Sequence, residues 1–538
     1  MPRPSPVRPI RLSALPGPAL VVLALAVRLS LFMSDRSFWG DEAYIALNLR
    51  SRGLRELFSK LDFEQTMPVP LLLASRISGA LLGHGELAYR LPMLLAGCIL
   101  PILLWRVYPR LVGRIEAWLM LAFAAVWLPL VYYSSELKQY GVDATVTVVT
   151  LAAALQLHRE PDRPAGWRWL AAWGVAALLL SQPSVFVLAG AGLSLVLSRR
   201  FVVSREWRKR CVLMAVAWGL TFGALYIAFY HAADTPYMRR SWASAFLTPG
   251  AGWAGRTSAA IWTLSGTSEL PGTRVLVLLP VFLAGAWFIR RRMGLAALIL
   301  AVAPVTLLGA AAATGHYPIA PRLVLFHAPL LFWVLASAIA GIAASVPKPL
   351  GPMIGATVFG LLWVPAAGKA IITAARPPVR EGTRQMAALV RSGDPTTPVF
   401  LIFGEYQSWA YYTEDWSDPD RVVRQVRSAF ACVSVVLPPP SCEALAFPGS
   451  ASVHPVEVGS PPPTEPGDSA SRIWARRQVR RLTARKERRV WVFYPLYGDR
   501  FAQRGLAPIF EQALAAAGAR REEAIRVGQS VLYRVALP

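Results

Sequence analysis

Charged residues are scarce in this sequence. Asp, Glu, Lys and Arg make up 16% of its 538 residues, whereas a soluble protein of average composition has about a quarter. Apolar residues account for 55% of the chain, and the mean hydropathy is +0.42. Runs of roughly 17 to 25 apolar residues, long enough to cross a bilayer, recur up to about residue 370. We therefore predict a polytopic α-helical membrane protein.

Acidic residues are the rarer charged class, with 31 against 56 basic residues and a formal net charge of +25. On a soluble protein this excess would suggest nucleic-acid binding. Here the basic residues cluster between apolar runs, where they set membrane topology and meet anionic lipid. We expect membrane lipid as a partner and no nucleic acid.

Cysteine is also rare, with four residues in the whole chain. Cys98 and Cys211 lie in or beside apolar runs. Cys432 and Cys442 flank a proline-rich turn, and their spacing permits a short disulfide in an oxidising compartment. A pair of unrelated thiols is the alternative. No small-residue cleavage site follows the first apolar run, so we predict an uncleaved first span.

The apolar runs predict about eleven transmembrane spans. Their approximate limits are 17–34, 91–108, 116–133, 143–158, 168–183, 185–198, 211–230, 274–289, 294–313, 322–345 and 350–373. Residues 1–375 are thus predicted to form a transmembrane domain with a long first outer loop at 35–90.

Charge, Pro and Ser rise after about residue 375, and the apolar runs shorten to strand length. Residues 376–538 are predicted to form a soluble α/β domain, because strand and helix patterns alternate there. The predicted strands are Val399–Phe403, Val433–Leu437, Val490–Tyr494 and Val531–Val535, the predicted helices are 380–392 and 500–517, and 455–468 is predicted to be a loop.

The positive-inside rule orients these spans. With the N-terminus inside, every second loop is basic, and the C-terminal domain lies outside. The inner arginines and lysines are Arg106, Arg110, Arg114, Arg159, Arg163, Arg168, Arg199, Arg200, Arg205, Arg208, Lys209, Arg210, Arg290, Arg291, Arg292 and Lys348. A span at 69–83 would invert every later loop. We therefore predict that this segment is a helix in the outer interface with Arg76 exposed.

Two adjacent acids, Asp41 and Glu42, follow the first span. Acids at a membrane boundary are costly to desolvate, so their presence indicates a functional or structural role. One reading is that Asp41 takes a proton from an acceptor, or orients it. The alternative is that both acids stabilise the first turn of a helix at 43–50. Later in the same loop, Glu64 precedes a Pro-marked helix start and has the same two readings.

Two further polar clusters lie at predicted outer ends of spans. Residues 132–143 hold Glu136, Lys138, Tyr140 and Asp143, and Lys138 is suited to pair with a lipid phosphate. The alternative is an aromatic belt with a Glu136–Lys138 surface pair. The second cluster, 315–322, ends in Arg322, which either binds a phosphate or snorkels to the interface.

The predicted spans hold almost no ionisable residues. A proton-coupled transporter tends to place charges near the midplane of the bilayer, and no internal repeat is evident. All four polar clusters instead lie on one side under the topology set by the arginines. This arrangement favours a reaction site at the outer face.

The order of these motifs resembles the GT-C superfamily of membrane glycosyltransferases, in particular the bacterial branch near protein O-mannosyltransferases and lipid A aminoarabinose transferases, which is glycosyltransferase family 39-like. The resemblance covers about residues 17–345 and is strongest at 38–44 and 132–143. The motifs in order are Asp41-Glu42, Phe63-Glu64-x-x-x-Pro68, Arg90-Leu91-Pro92, Tyr132-Tyr133-Ser134-x-Glu136-x-x-x-Tyr140 and His316-Tyr317-Pro318-x-x-x-Arg322.

The resemblance implies an inverting transfer of one sugar from a polyprenyl-phosphate donor to an acceptor at the outer face of the bacterial cytoplasmic membrane. It requires no glycine-rich phosphate loop, and the sequence has none. Some relatives use a divalent cation, for which Asp41, Glu64 and Asp143 are possible ligands. The acceptor stays open between protein, lipid and glycan.

The resemblance also assigns roles to residues. Asp41, with its neighbour Glu42, matches the acid that activates or positions the acceptor, and Glu64 matches a second loop acid of a Glu-Lys-Pro-like motif. Gln65 departs from that motif, because some relatives have a lysine there that contacts the donor phosphate.

That positive charge would come from Lys138 or Arg322, and Tyr317 is grouped with them as a donor-phosphate residue. Glu136 or Asp143 would fill a second acidic position at the acceptor side, together with Tyr140.

Two other functions remain open at this stage. A transporter or flippase of lipid-linked sugars would need no base and should tolerate loss of the Asp41 carboxylate. A related transferase would move a larger glycan or a non-sugar group from the lipid carrier.

Overall fold

The computed structural model of the protein describes most of the chain. The described residues are 17–266, 275–394, 397–401, 406–434, 444–447, 456–459, 468–484, 487–495, 506–528 and 530–538. Two compact units are present. The first unit comprises Met1–Met33, Leu91–Ile227 and Trp242–Arg376, and the second comprises Ser34–Arg90, Ala228–Ser241 and Pro377–Pro538.

Helices dominate the described part of the chain. Up to residue 264 they are α1 (Gly17–Met33), α2 (Gly40–Ser51), α3 (Val69–Leu82), α4 (Glu86–Arg106), α5 (Arg114–Val126), α6 (Leu128–Tyr133), α7 (Tyr140–Arg159), α8 (Pro164–Leu180), α9 (Ser184–Val196), α10 (Arg199–Val203), α11 (Arg205–Leu225), α12 (His231–Ala233), α13 (Pro236–Ser241) and α14 (Trp253–Leu264).

Nine helices are described in the rest of the chain. They are α15 (Val275–Met293), α16 (Leu295–Ala313), α17 (Ala328–Ser345), α18 (Leu350–Ala375), α19 (Thr383–Arg391), α20 (Tyr406–Thr413), α21 (Pro419–Ser434), α22 (Asp468–Thr483) and α23 (Leu506–Ala516).

Six helical segments of the described chain are long and apolar enough to cross a membrane. They are Glu86–Arg110, Tyr140–Arg159, Arg205–Ala233, Leu295–Ala313, Leu325–Ser345 and Leu350–Ala375. Shorter apolar helices occur at Gly17–Met33, Val69–Leu82 and Ser184–Val196. The remaining predicted spans correspond to α5 with α6, to α8 and to α15, so the count of eleven spans stays a prediction.

The predicted span at 116–133 is wrong in one respect, because it is two helices. Helix α5 ends at Val126, and α6 begins at Leu128 with Pro129 in its first turn. Proline has no backbone N–H, so a continuous helix would leave the carbonyl of Ala125 without its usual donor. The chain breaks at this point, close to the tyrosines that end α6.

A buried arginine on α1 satisfies the carbonyls that this break leaves free. Arg28 is 0% exposed. Its Nη2 donates to the oxygen of Ala124 at 2.9 Å, and its Nη1 donates to the oxygens of Ala125 at 3.4 Å and Ala24 at 2.9 Å. A polar backbone group in an apolar interior needs such a partner. Arg28 therefore fixes α1 against the end of α5.

The core of the first unit is a continuous apolar cluster. Helix α16 packs on α9, α15 packs on α17, and α17 packs on α18 and α5. Tyr140 at the start of α7 and Ile319 in the segment before α17 belong to the same cluster. The two polar segments predicted in this unit, 132–143 and 315–322, are therefore anchored in one core.

A six-stranded mixed sheet lies in the second unit. Its strands are β1 (Val399–Leu401), β2 (Ala444–Phe447), β3 (Val456–Gly459), β4 (Arg489–Pro495), β5 (Arg520–Val527) and β6 (Ser530–Ala536). The order is β2-β3-β1-β4-β6-β5. Strand β1 pairs in parallel with β3 and β4, and the other pairs are antiparallel.

Three of the predicted strands are present, as β1, β4 and β6, and both predicted helices are present, as α19 and α23. Two predictions need correction. The predicted strand Val433–Leu437 begins inside helix α21, and its residues after 434 lie outside the described residues. The predicted loop 455–468 contains strand β3. The predicted pair Cys432–Cys442 also lies outside the described side chains.

The segment predicted to be the first outer loop packs within the second unit. Helix α2 packs against α20 and α21, and α3 packs against α2. Arg76 on α3 donates to the carbonyl of Leu49, so this side chain is half-buried rather than exposed as predicted. Ile77, Leu81 and Leu82 on α3 are exposed apolar residues. Such a face is typical of a helix that lies in a membrane interface.

The role of Arg28 can be tested by replacement with methionine. Arg28→Met removes the donors to the Ala124 and Ala125 carbonyls, and each buried acceptor left unsatisfied costs about 1–3 kcal/mol. We expect a clearly lower midpoint of thermal unfolding in detergent. Arg168→Met, at an exposed position on α8, is the control and should leave the midpoint unchanged. Equal midpoints for both variants would contradict this account.

Candidate active site

Asp41 lies in the first turn of α2. Phe38 just before it is fully buried, with its ring 5.2 Å from that of Tyr411 and nearly perpendicular to it. Its backbone N–H donates to the Tyr412 hydroxyl at 2.7 Å. Asp41 itself is half-buried. Asp41 thus lies on a helix that begins two residues after the buried Phe38.

Glu42 is buried and forms an ion pair. It is 0% exposed, Arg90 is 2% exposed, and the guanidinium contacts both carboxylate oxygens, through Nη2 at 2.6 Å and Nε at 2.8 Å. Arg90 also donates to the carbonyls of Arg36 at 2.7 Å and Ser37 at 3.3 Å. A bidentate pair of this kind is geometrically specific. The two adjacent acids therefore have different surroundings, and only Asp41 is partly accessible.

A third carboxyl lies behind this helix start. Glu381 is buried, and its Oε1 accepts a hydrogen bond from the backbone N–H of Gly40 at 2.8 Å. Its Oε2 accepts one from the Ser408 hydroxyl at 2.8 Å. Burial raises the pKa of Glu381 to about 8, against the two hydrogen bonds, which lower it, and the nearby charges of Glu42 and Asp41 raise it further.

A second ion cluster holds the chain just before α2. Arg384 pairs with Asp35 at 2.9 Å and with Glu86 at 3.0 Å. The Tyr412 hydroxyl donates to Glu86 at 2.7 Å while it accepts from the N–H of Phe38. Burial raises the pKa of Tyr412 well above its usual value, so this hydroxyl keeps its proton. The C-terminal segment thereby holds residues 35–38.

Glu64 lies in a strained turn. Phe63 and Glu64 both have positive φ values, 64° and 53°, which non-glycine residues rarely adopt. The Glu64 carboxylate accepts from Lys60 Nζ at 3.2 Å and from Thr235 Oγ1 at 3.0 Å. Strain of this kind costs on the order of 1–3 kcal/mol per residue and is concentrated at functional sites.

An aromatic cluster ties the Glu64 turn to α2. The Tyr44 and Phe63 rings lie 5.0 Å apart, and Phe430 lies 5.4 Å from Tyr44 and 5.8 Å from Phe63. Tyr237 completes the cluster at 5.6 Å from Phe430. Tyr44 is three residues after Asp41, so one turn of α2 carries both the acid and the ring that packs beside Glu64.

The polar segment 132–143 of the first unit is buried. Glu136 is 1% exposed, Lys138 is 4% exposed and Tyr140 is 5% exposed. These values exclude the surface pair that was the alternative for Glu136 and Lys138. The Tyr140 ring packs against Tyr133 at 5.1 Å in an edge-on geometry.

Asp143 is buried in the first turn of α7 at 2% exposure. Its Oδ1 atom has no hydrogen-bond partner among the described residues. A buried carboxyl oxygen without a partner is costly. The Ser181 hydroxyl lies beside this carboxyl and can donate to it.

The segment 315–322 is held by local contacts. The Tyr317 hydroxyl donates to the carbonyl of Leu323 at 3.0 Å, and its ring packs edge-on against Phe186 at 5.3 Å. The guanidinium of Arg322 lies 5.2 Å from the centre of the Trp242 ring. Arg322 is half-buried, and stacking on tryptophan leaves the edge of a guanidinium able to donate.

The predicted metal ligands do not form a site in the described residues. No three His, Cys, Asp or Glu side chains lie together there as a metal ion would require. The neighbouring carboxyls of Glu42 and Glu381 are instead occupied by Arg90 and by Gly40 with Ser408.

Sequence reasoning missed several residues of this arrangement. Arg90 was noted only as part of an Arg-Leu-Pro motif, and its pairing with Glu42 gave no local signal. Glu381 lies in a short charged stretch that looks solvated, and its partner Gly40 is 341 residues away. Thr235 likewise gave no sequence signal for its contact with Glu64, 171 residues away.

Solved structures of membrane transferases are similar to this chain at low identity. ArnT from Cupriavidus metallidurans bound to undecaprenyl phosphate has 13% identity and a TM-score of 0.49, covering 96% of this chain and 97% of that chain. The structure of ArnT from Cupriavidus metallidurans in the apo state has 13% identity and a TM-score of 0.49, covering 96% of this chain and 98% of that chain. The Archaeoglobus fulgidus oligosaccharyltransferase in complex with Zn and sulfate has 12% identity and a TM-score of 0.47, covering 73% of this chain and 61% of that chain.

A family match is also found. Residues 67–229 match the family described as dolichyl-phosphate-mannose-protein mannosyltransferase, whereas no curated protein sequence matches. The matched segment includes Glu136, Lys138, Tyr140 and Asp143, and Asp41 and Arg322 lie outside it. Over residues 67–229, this match confirms the resemblance to membrane glycosyltransferases that was inferred from the sequence.

Proposed function

We propose that this protein transfers one sugar, with inversion, from a polyprenyl-phosphate donor to an acceptor at the outer face of the bacterial cytoplasmic membrane. The family match supports a glycosyltransferase. The observation that carries the proposal is the contrast between Asp41 and the carboxyls around it. Glu42 and Glu381 are buried, whereas Asp41 is half-buried and partly accessible.

The chemistry needs little covalent help from the protein. The acceptor hydroxyl or amine attacks the anomeric carbon, its proton passes to the Asp41 carboxylate, and the bond between that carbon and the phosphate oxygen breaks. The electron pair of that bond stays on the phosphate, which leaves as polyprenyl phosphate. A positioned base and groups that stabilise the leaving phosphate are the main requirements.

Glu42 and Glu64 contribute in different ways. Glu42 acts through position, because Arg90 binds both of its oxygens, and this pair fixes the turn that carries Asp41. Glu64 keeps a side chain that is 20% exposed. Its strained backbone directs the carboxylate, which suits a second polar contact to the acceptor or the sugar.

The donor phosphate is proposed to bind Lys138 and Arg322, with Tyr317 as a supporting residue. Lys138 and Arg322 are cations in a largely apolar unit. A fixed positive charge there offsets the free-energy cost of desolvating a bound phosphate. Tyr317 stabilises the turn before Arg322 through its bond to Leu323.

The acceptor side is proposed to involve Glu136, Tyr140 and Asp143. Asp143 is a buried carboxyl in the first turn of α7. The proposed topology places the N-terminus inside and the C-terminal domain outside.

Replacement of Asp41 tests the proposed function. Purified protein would be given a radiolabelled polyprenyl-phosphate sugar, and sugar release or transfer would be followed. Loss of a general base costs about 10²–10⁴-fold in rate, so Asp41→Asn should lower turnover at least about 100-fold and leave donor binding intact. Glu56→Gln, at an exposed position of the same loop, is the matched control and should behave like the wild type.

The outcomes of this assay separate the candidate functions. Turnover that survives in Asp41→Asn would contradict the role of this carboxylate. Absence of turnover with polyprenyl-phosphate sugars, together with donor movement across vesicles by both proteins, would indicate a flippase.

The Glu42–Arg90 pair generates a stability prediction. Arg90→Met leaves a buried carboxylate without its cation, and breaking one side of a buried pair costs about 3–5 kcal/mol. We expect a strongly lowered thermal midpoint of the purified protein. The double variant Glu42→Gln with Arg90→Met should recover part of the loss, because no uncompensated charge remains. A double variant that is no more stable than Arg90→Met alone would contradict the claim that the loss comes from an uncompensated buried carboxylate.

A further inference from the structure

The start of α2 lacks a local cap. The first N–H groups of a helix have no partner within the helix and are usually satisfied by the side chain of the preceding residue. Trp39 occupies that position and its side chain makes no capping bond. The N–H of Gly40 instead donates to Glu381 Oε1 at 2.8 Å. A carboxyl from the far end of the chain caps the helix that carries Asp41.

Glu381 is rigidly mounted for this role. Its backbone forms an antiparallel bridge with Gly528, in the turn between β5 and β6. Gly528 has a φ of +59°, and a side chain there would collide with the Val379 carbonyl. The Glu381 side chain is fixed at its other oxygen by Ser408 on α20. The sheet and α20 thus set the position of the carboxyl.

The absence of a side chain at Gly40 lets Glu381 and Gln407 lie close to the start of α2. A Cβ atom at this position would lie 3.1 Å from Gln407 Nε2 and 3.8 Å from Glu381 Oε1. The contact with Gln407 is tighter than most real Cβ contacts, whereas the contact with Glu381 is an ordinary van der Waals contact. Glycine therefore lets the first turn of α2 lie directly against Gln407. Asp41 follows immediately and takes its direction from this contact.

We propose that Glu381 is a positioning residue of the acidic site, which fixes the direction of Asp41 by capping the N–H of Gly40. This inference rests on the proposed function of Asp41. It also assigns a function to the chain beyond the last apolar helix: Glu381, Gln407 and Ser408 form the surface against which the acidic turn is held.

The charged groups around Glu381 indicate its protonation state. Asp41 and Glu42 face it from α2, Arg90 is occupied by Glu42, and Arg384 is occupied by Asp35 and Glu86. Arg380 stacks on Trp39 at 4.8 Å. The buried carboxyl has two acid neighbours, and its raised pKa indicates a neutral, protonated group near neutral pH. A neutral amide of the same shape can therefore take its place.

The test compares three variants of the full-length protein in the donor assay described above. Glu381→Ala removes the cap, and a displacement of about 1 Å at a reacting group can cost about 100-fold in rate. We expect kcat to fall about 10- to 100-fold while KM for the donor changes little. Glu381→Gln keeps an oxygen for the Gly40 N–H and should recover kcat to within a few-fold of the wild type. Glu414→Ala, which removes another buried acid of the same segment, is the control.

A second readout does not depend on turnover. Hydrogen exchange of the peptide Phe38–Tyr44 should be faster in Glu381→Ala than in the wild type, and close to the wild type in Glu381→Gln and Glu414→Ala. Unchanged kcat and exchange in Glu381→Ala, with Asp41→Asn inactive, would overturn this inference alone. Wild-type protein without any donor turnover would overturn the proposed function and with it the positioning role, even if exchange showed that Glu381 caps the helix.

Discussion

The buried ion pair between Glu42 and Arg90 is the constraint on which the acidic site depends. Two opposite charges at 0% and 2% exposure are stable only when their bonds are well aligned, because the desolvation of each ion is expensive. Arg90 meets this condition by binding both carboxylate oxygens and two backbone carbonyls of the chain just before α2. The position of the turn that carries Asp41 is thereby fixed.

The carboxyls of the acidic site differ in their partners. Glu42 is paired with a cation, Glu381 is hydrogen-bonded and kept neutral by burial, and Glu64 is held by Lys60 and Thr235 on a strained backbone. These three acids and the half-buried Asp41 have similar intrinsic chemistry but different environments. Environment, more than residue type, decides which carboxyl is able to take up a proton.

Part of this arrangement was predictable from the sequence and part was not. The length of the apolar runs predicted the long helices of the first unit, and short apolar runs predicted β1, β4 and β6, because both signals are local. Asp41 and Glu64 stood out because acids are rare among apolar runs. The break between α5 and α6 was missed, although Pro129 was a local signal for it. Glu381 could not be predicted, because a cap supplied 341 residues away leaves no pattern in either segment.

The central claim of this account is a direct displacement at the anomeric carbon, with the single carboxylate of Asp41 as base and no covalent sugar–enzyme intermediate. The measurement that tests it most directly is the anomeric configuration of the first-formed product, determined by NMR spectroscopy with a donor of defined configuration. A one-step displacement predicts inversion. Retention would require two successive displacements through a nucleophile of the protein, and would contradict the account.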